Sequence, residues 1–404
     1  MDNNTVRRAI VYVLARCASQ PQRFRPPQQF TQAQLTQFRL LAAVAFTVLP
    51  RPRSGVAPAP SSAPQAPPAA RPPFPHAATW NQLDLQMNQY EEQSLQDIAL
   101  SNIPIADIYD TADRLQASNT PLPCYEDALA EALVKWFKPN FFKWADPIKC
   151  TKCGKGTNLK EVTGPSTQEE REGGAGRVEI HICEDTECGT VNKFPRFNNL
   201  ATLMKPENRR GRCGEFAGLF TLFIRAIGLR ARYVWNAEDH VWNEYWSPAQ
   251  NRWVHMDSCE NARDEHHIYS KGWGKKMSYC VAFSVDGGAM DVSHAYIPAE
   301  KWGENGEATS MRARAGNEAD GEAALQRIRD RRREGLPAAE LSRLAAEDER
   351  DRTWWKEVPS AAAAPADATA SETPSTTATD EAFQPRQSGT QEWKESRGEA
   401  GKPS

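Results

Sequence analysis

Two short cysteine pairs, each followed by glycine, constrain this chain more than any other feature. Cys150-Thr-Lys-Cys153 leads into Gly154, and Cys183-Glu-Asp-Thr-Glu-Cys188 leads into Gly189. Such loops turn backbone N–H groups toward sulfur and let four thiolates converge on one tetrahedral ion. The first gap is two residues, the common length, and the second is four. A closed four-cysteine site is structural rather than catalytic. The expectation is therefore one structural Zn²⁺ on Cys150, Cys153, Cys183 and Cys188, pinning two loops together. A redox Cys-x-x-Cys or unrelated buried thiols are the alternatives. Nine cysteines in a chain with no clear secretory signal speak against a disulfide framework and for a reducing compartment.

Charge excludes further classes. Lys plus Arg number 49 and Asp plus Glu 52, a net charge of -3, so bulk positive charge does not hold this chain to nucleic acid. The longest apolar run, 40–49, ends in proline and falls short of the roughly 18–20 residues of a membrane span. The first 80 residues hold nine arginines, no lysine and a single acid, Asp2. That start, with a helix expected over 6–17, resembles a mitochondrial transit peptide. A disordered basic arm is the reading preferred here, since nothing downstream needs that organelle. The expected location is the cytoplasm, with the nucleus also open.

Composition divides the chain. Ten prolines over 50–75 predict an extended linker, and 1–79 reads as a disordered Arg/Pro-rich arm. A flanking helix is expected over 80–120, on Leu83, Met87, Tyr90, Leu95, Ile98 and Leu100. The folded core is 121–300, with the metal site at 150–188. Within it 164–177 reads as a polar solvent loop. Residues 303–321 are expected to be loose. Charged C-terminal surface helices follow within 301–357, over 322–333 and 337–352, and 358–404 reads as a disordered tail.

The chemistry gathers on Cys213. Beyond it Phe216, Leu219, Phe220, Phe223, Ile224 and Ile227 form a helical apolar stripe, and Gly228 sits where a C-terminal cap belongs. Cys213 thus opens a buried helix, whose dipole and free N–H groups favour a thiolate. Strands are predicted at 230–235, 240–246 and 252–257, with a turn at 247–251. His240, Trp242, Glu244 and Trp246 share one strand face. A hairpin pairing Trp246 with Arg252 brings His240 and Val241 beside Asp257. Base near nucleophile and acid behind base are what a thiol catalyst requires.

With Trp136-Phe137, Phe141-Phe142-Lys-Trp144, Phe194-Pro-Arg-Phe197, Asp257-Ser-Cys259-Glu260 and Gly272-Trp273-Gly-Lys-Lys-Met-Ser-Tyr279 in order, 120–296 resembles the cytoplasmic peptide:N-glycanases of the transglutaminase-like superfamily. The resemblance implies an α+β, papain-like core with an antiparallel sheet, an N-terminal catalytic helix and a four-cysteine zinc insertion. It implies a deglycosylating amidase acting on misfolded N-glycoproteins, with Cys213 as nucleophile, His240 as base and Asp257 as its orienter. Trp144, Trp242, Glu244 and Trp273 become candidate walls for the inner sugars. The Cys213 N–H, or the indole of Trp144 or Trp136, becomes the candidate oxyanion donor. It also suggests a proteasome shuttle factor with a ubiquitin-like domain as partner, docking on 83–100 and 322–355. Gly218 stands where the family carries Asn, and His294-Ala295 where it carries a pair of arginines. A zinc-braced scaffold without turnover, or a protease or transglutaminase of the same superfamily, are the competing readings.

Overall fold

The computed structural model describes residues 74–298 and 317–357. The transit helix, most of the basic arm and proline linker, most of the loose 303–321 segment and the 358–404 tail lie outside the described residues.

Three helices open the described chain: α1 (Ala77–Gln86), α2 (Gln93–Asn102) and α3 (Ile105–Gln116). One flanking helix was expected there. A 3-10 turn at Met87–Glu91 and the extended Glu92 end the first segment, and the extended Ile103 before Pro104 ends the second. Nor do they flank the core. Trp80, Met87, Tyr90 and Ile108 are buried in it, while Ile98 turns outward. Next come α4 (Tyr125–Trp136), a π-turn (Phe137–Phe141) and the short strand β1 (Lys143–Trp144).

The cysteine insertion is a three-stranded antiparallel sheet, β2 (Thr157–Thr163), β3 (Val178–Cys183) and β4 (Val191–Pro195). Between β2 and β3 the expected solvent loop contains a helical turn, α5 (Gln168–Glu172). Its buried Glu170 accepts the N–H groups of Ser166 and Thr167, and the Thr167 hydroxyl accepts the N–H of Glu170. That reciprocal cap is the Thr-x-x-Glu signature of a helix start.

After α6 (Leu200–Met204), β5 (Arg210–Gly211) pairs in parallel with β1. It delivers α7 (Cys213–Ala226), which is buried nearly all round rather than on one stripe. The antiparallel sheet covers one side of it and α2 lies against another. Each fully buried Phe or Leu here stabilises by about 1.5–3 kcal/mol relative to exposure. Gly228 closes α7 at φ +85, as a C-terminal cap does.

The main sheet runs β11-β10-β6-β7-β8-β9: β6 (Ala231–Asn236), β7 (His240–Ser247), β8 (Arg252–Asp257), β9 (Ala262–Arg263), β10 (Cys280–Ser284) and β11 (Gly288–Asp291). All neighbours are antiparallel. A short α8 (Ser293–Tyr296) follows.

The C-terminal helices α9 (Glu318–Arg333) and α10 (Ala338–Glu357) are docked, not free surface helices. Buried Arg329 of α9 donates to the Ala289 carbonyl at 2.9 Å. Along α10, Glu347 takes both prongs of Arg230 at 2.7 and 2.8 Å, Asp351 pairs with Arg232, and Trp354 lies under Arg252 at 4.7 Å. Carboxylates bring these arginines into the fold, which charges rarely enter unpaired. Among the described residues no helix is long and apolar enough to cross a membrane.

Candidate active site

Cys213 is the first residue of α7, and two ion-pair systems hold that start in place. The Arg212 N–H donates to Glu215 Oε2 at 3.0 Å, and Arg196 grips the same carboxylate through Nε and Nη2 at 2.5 and 2.7 Å. Ahead of it, the Arg212 guanidinium forks onto Asp146 at 2.6 and 2.9 Å and onto Glu179 of β3 at 2.6 and 2.9 Å. Burial works against the Glu179 carboxylate, yet Arg212 and then His181 and Arg196 bring it down to about 2. Gly211 admits this arrangement, because a Cβ there would lie 2.5 Å from Glu215 Cβ.

His240 opens β7 and Asp257 closes β8. His240 Nε2 meets Asp257 Oδ2 at 2.8 Å, both buried. The register corrects the expected one. Trp246 pairs with Trp253 and Ser247 with Arg252, one residue away from the predicted pairing of Trp246 with Arg252. A one-residue slip exchanges faces, so only the observed register points His240 and Asp257 to the same side. Ser247 stays in the sheet because its hydroxyl donates to buried Asp127 at 3.0 Å and accepts the Gln250 N–H at 3.2 Å.

The electrostatics suit a thiolate–imidazolium pair. Burial pushes the Cys213 thiol up, but the hydrogen bond and charge of His240 outweigh it and the net shift is downward. Burial pulls His240 down, while Asp257 and then Cys213 carry it up to about 9. Burial raises Asp257, and the charge and hydrogen bond of His240 bring it down to about 2. With Nε2 on Asp257, the buried Nδ1 of His240 makes no hydrogen bond to a nitrogen or oxygen atom. That is the nitrogen left to exchange a proton with Cys213.

The other expected site residues separate into two groups. Trp273 is half-buried, its ring 5.0 Å from that of His240. Trp144 is half-buried on β1, which pairs with the strand leading into Cys213, and its ring lies 5.9 Å from Phe216. Trp242 and Glu244, by contrast, lie inside the fold and do not wall an open groove. Tyr269 stacks on Trp242 at 4.3 Å, and Glu244 is held by Arg232 at 2.7 Å and the Tyr296 hydroxyl at 2.6 Å. Tyr269, Tyr296 and α10 cover that face of β7. Trp136 stacks on Phe223, ten residues or about 15 Å along α7 from Cys213, which removes its indole as an oxyanion donor. A cleft of about 310 Å³ opens beside the first turns of α7, lined by Gly214, Gly218, Arg196, Phe197, Leu200 and Tyr233.

The four knuckle cysteines converge. Their sulfurs all lie within 4.8 Å of one another, with Cys150–Cys188 at 3.8 Å and Cys153–Cys183 at 3.5 Å. A tetrahedron with metal–sulfur bonds near 2.3 Å has edges of about 3.8 Å, so the set can hold a metal ion. The two extra residues of the second knuckle are taken up by Asp185. Its carbonyl accepts the N–H groups of Cys188 and Gly189 at 3.1 and 3.0 Å, and its side chain accepts that of Glu187 at 3.1 Å. Gly154 and Gly189 adopt φ +74 and +55, turns that close each knuckle.

Sequence reasoning missed the Arg212–Glu179–Asp146 and Arg196–Glu215 systems, and His255 and Tyr269 behind Asp257. His255 was within reach: it alternates with Asp257 on β8 and so shares its face.

A Cys-His-Asp constellation, with a half-buried cysteine on a helix and a buried histidine and aspartate on an antiparallel sheet, defines a transglutaminase-like thiol hydrolase fold. The family profile described as the transglutaminase-like superfamily matches 158–258, and that described as the Rad4 transglutaminase-like domain matches 235–381. A peptide-N(4)-(N-acetyl-beta-glucosaminyl)asparagine amidase of Yarrowia lipolytica is 38% identical over 80% of this chain and 84% of that protein. Proteins of the same name from Saccharomyces cerevisiae and Gallus gallus are 43% and 44% identical, over 52% and 51% of this chain and 58% and 32% of their own lengths. A looser likeness, TM-score 0.41 at 13% identity over 69% of this chain and 57% of the other, is to the structure titled Rad4-Rad23 crosslinked to an undamaged DNA. The chain belongs to the peptide-N(4)-(N-acetyl-beta-glucosaminyl)asparagine amidase family.

Proposed function

We propose that this protein is a cysteine-dependent amidase that removes glycans from the asparagine side chain of misfolded N-glycoproteins and leaves aspartate. The single observation that carries the reading is the Cys213–His240–Asp257 arrangement, in a chain 38% identical to an amidase of that name over most of both lengths.

The Cys213 thiolate attacks the side-chain amide carbon, forming a C–S bond. The carbonyl oxygen takes up the electron pair and meets the free N–H groups at the start of α7, where the helix dipole also favours negative charge. His240, charged and held by Asp257, gives its Nδ1 proton to the departing glycosylamine nitrogen as the C–N bond breaks. Neutral His240 then takes a proton from water, whose hydroxide replaces sulfur and releases the aspartate side chain. Water exclusion by Tyr269 and Trp273 strengthens the His240–Asp257 attraction. Trp273 and Trp144, half-buried near the pair, offer aromatic faces to sugar rings, and the cleft beside Gly214 receives the asparagine-bearing chain.

The four-cysteine site is read as one structural Zn²⁺. Four thiolates are a zinc donor set, and a closed site leaves no position for a reacting molecule. A location in the cytoplasm or nucleus fits thiols outside any disulfide at Cys124, Cys213 and Cys259. Exposed Leu85 on α1 and Ile98 on α2 offer apolar contact to a shuttle factor with a ubiquitin-like domain. A pull-down that survives Leu85→Glu with Ile98→Glu sinks that partner site.

The test is mass spectrometry of a denatured N-glycoprotein after incubation with the wild type and with Cys213→Ala. Glycan loss with conversion of Asn to Asp by the wild type alone is expected. Glycan loss by both, or by neither while the protein is folded, overturns the reading.

A further inference from the structure

Behind Asp257 lies a chain of hydrogen bonds whose proton positions are determined. The Glu265 N–H donates to His255 Nδ1 at 3.2 Å, so that nitrogen carries no proton. A neutral His255 must then carry its proton on Nε2, which lies 2.7 Å from the Tyr269 hydroxyl. With its oxygen accepting from His255, Tyr269 donates its own proton to Asp257 Oδ2 at 2.8 Å. Asp257 Oδ2 is also the atom that receives His240 Nε2. Its Oδ1 is occupied by the N–H groups of Cys259 and Glu260, at 2.8 and 3.2 Å. All four side chains are buried.

We propose that His255 and Tyr269 are positioning residues that fix the Asp257 carboxylate, and through it the His240 ring, by directing the Tyr269 proton onto Oδ2. The inference rests on the amidase reading for its kinetic part only.

Burial keeps His255 neutral, pulling it down to about 4 against the charges of Asp257 and Asp264. A protonated His255 breaks the chain, because its Nδ1–H faces the Glu265 N–H. Tyr269 is placed for one role, since its ring is wedged against Trp242 at 4.3 Å, His240 at 5.1 Å and Trp273 at 5.0 Å. The titratable groups facing the Cys213–His240–Asp257 set are His255 and Tyr269 behind Asp257, Cys259 and Glu260 after it, Glu215 and Arg196 beside Cys213, and Tyr233 of β6. Only the first two change in the test.

The test uses the full chain with ¹⁵N-labelled imidazoles, and seven histidines keep the spectrum assignable. His255 should appear as the neutral Nε2–H tautomer from pH 5 to 8. Tyr269→Phe should lower kcat about 10–100-fold with KM nearly unchanged, the usual loss when an outer hydrogen-bond partner is removed. It should also move the His240 titration upward. Asp257 loses a donor, so its charge holds the imidazolium proton more tightly. His255→Gln, which still offers an N–H to Tyr269, should keep most activity, whereas His255→Leu should fall as far as Tyr269→Phe. A His255 that is charged or protonated on Nδ1 overturns the proposal. So does a Tyr269→Phe variant with wild-type kcat, or with a His240 titration that moves down, the sign of simple loosening. The expected tautomer in a protein that leaves glycoproteins intact supports this chain while sinking the amidase reading.

Discussion

Arg212 and Glu179 meet through both prongs of the guanidinium, at 2.6 and 2.9 Å, and so tie the residue before Cys213 to the strand that ends in Cys183. The cysteine hairpin and the start of α7 are thereby joined by an ion pair. A closed thiolate site has no chemistry to offer the reaction, yet here it is linked to the residue that precedes Cys213.

Glu179→Gln should therefore lower both stability and turnover. The neutral amide leaves Arg212 with Asp146 alone. A charged hydrogen bond of this kind is worth about 1.5–3 kcal/mol, and partial exposure of Arg212 places the loss near the low end. Urea unfolding and kcat read the two effects. Glu179 titrates below its ordinary range, so the stabilisation is complete above about 4.5 and is lost as pH falls toward about 2.

Removing the metal should act on Cys213 at a distance. Metal analysis should find one ion per chain, and a strong chelator should release it. Once it is lost, four knuckle thiols become open to alkylation and the thermal midpoint falls. Cys183→Ser should do the same without chelator, with reduced activity, although Cys183 is remote from the reacting atoms. Unchanged activity in a metal-free protein would show that the Arg212–Glu179 link carries no positional information.

The pair itself sets the pH range. His240 titrates above its ordinary 6.5, so the stability from its pairing with Asp257 is complete below about 6.5 and lost as pH rises through about 9. Activity should hold through neutral pH and decline near 9, as the imidazolium gives up the proton that the leaving nitrogen requires. A kcat profile of the wild type checks this, and a decline already at pH 7 contradicts it.

Gly211→Ala should be costly for so small a change. The new methyl meets Glu215 Cβ at 2.5 Å and Phe142 Cε1 at 3.1 Å. Relief means moving Glu215 off the Arg212 N–H and Arg196. Overpacking of this kind costs about 1–3 kcal/mol. Stability and kcat should fall together, and a variant equal to wild type in both would show that the approach is soft.

Asp351→Ala leaves Arg232 buried beside Glu244 alone. Losing a charged hydrogen-bond partner costs about 1.5–3 kcal/mol, and for a domain of this size that is a fall of roughly 5–10 °C in Tm. Arg232→Met in the same chain should deepen the loss, because it leaves the buried Glu244 carboxylate with the Tyr296 hydroxyl and no counter-charge.

Much of this site was legible because its signals are local. Cys213 was placed by the apolar stripe and the Gly228 cap within one helix. His240 and Asp257 were brought together by one hairpin, with the register one residue out because nothing local shows that Asp127 holds Ser247 in the sheet. The reciprocal Thr167–Glu170 cap was written in four residues and overlooked in a polar run. Trp242 and Glu244 were misplaced for the opposite reason. Alternation puts them on a face but does not say that Tyr269, Tyr296 and α10 cover it. Arg212–Glu179 and Arg232–Asp351 join segments 33 and 119 residues apart, a distance at which charge carries no address.

The last of these pairings has a consequence for how the chain is made. Arg232 of β6 and Arg230 just before it each reach one carboxylate ahead of α10, Glu244 and Asp286, but their second belongs to α10, more than a hundred residues later. Synthesis runs from the N-terminus, so the nucleophile, its histidine and its aspartate all leave the ribosome first. Until Glu347 and Asp351 follow, each guanidinium lacks its second carboxylate, and that face of the sheet stays open to water. The final helix thus acts as a completion signal: a chain cut short before it carries Cys213, His240 and Asp257 and lacks the second carboxylates that cover this face of the sheet.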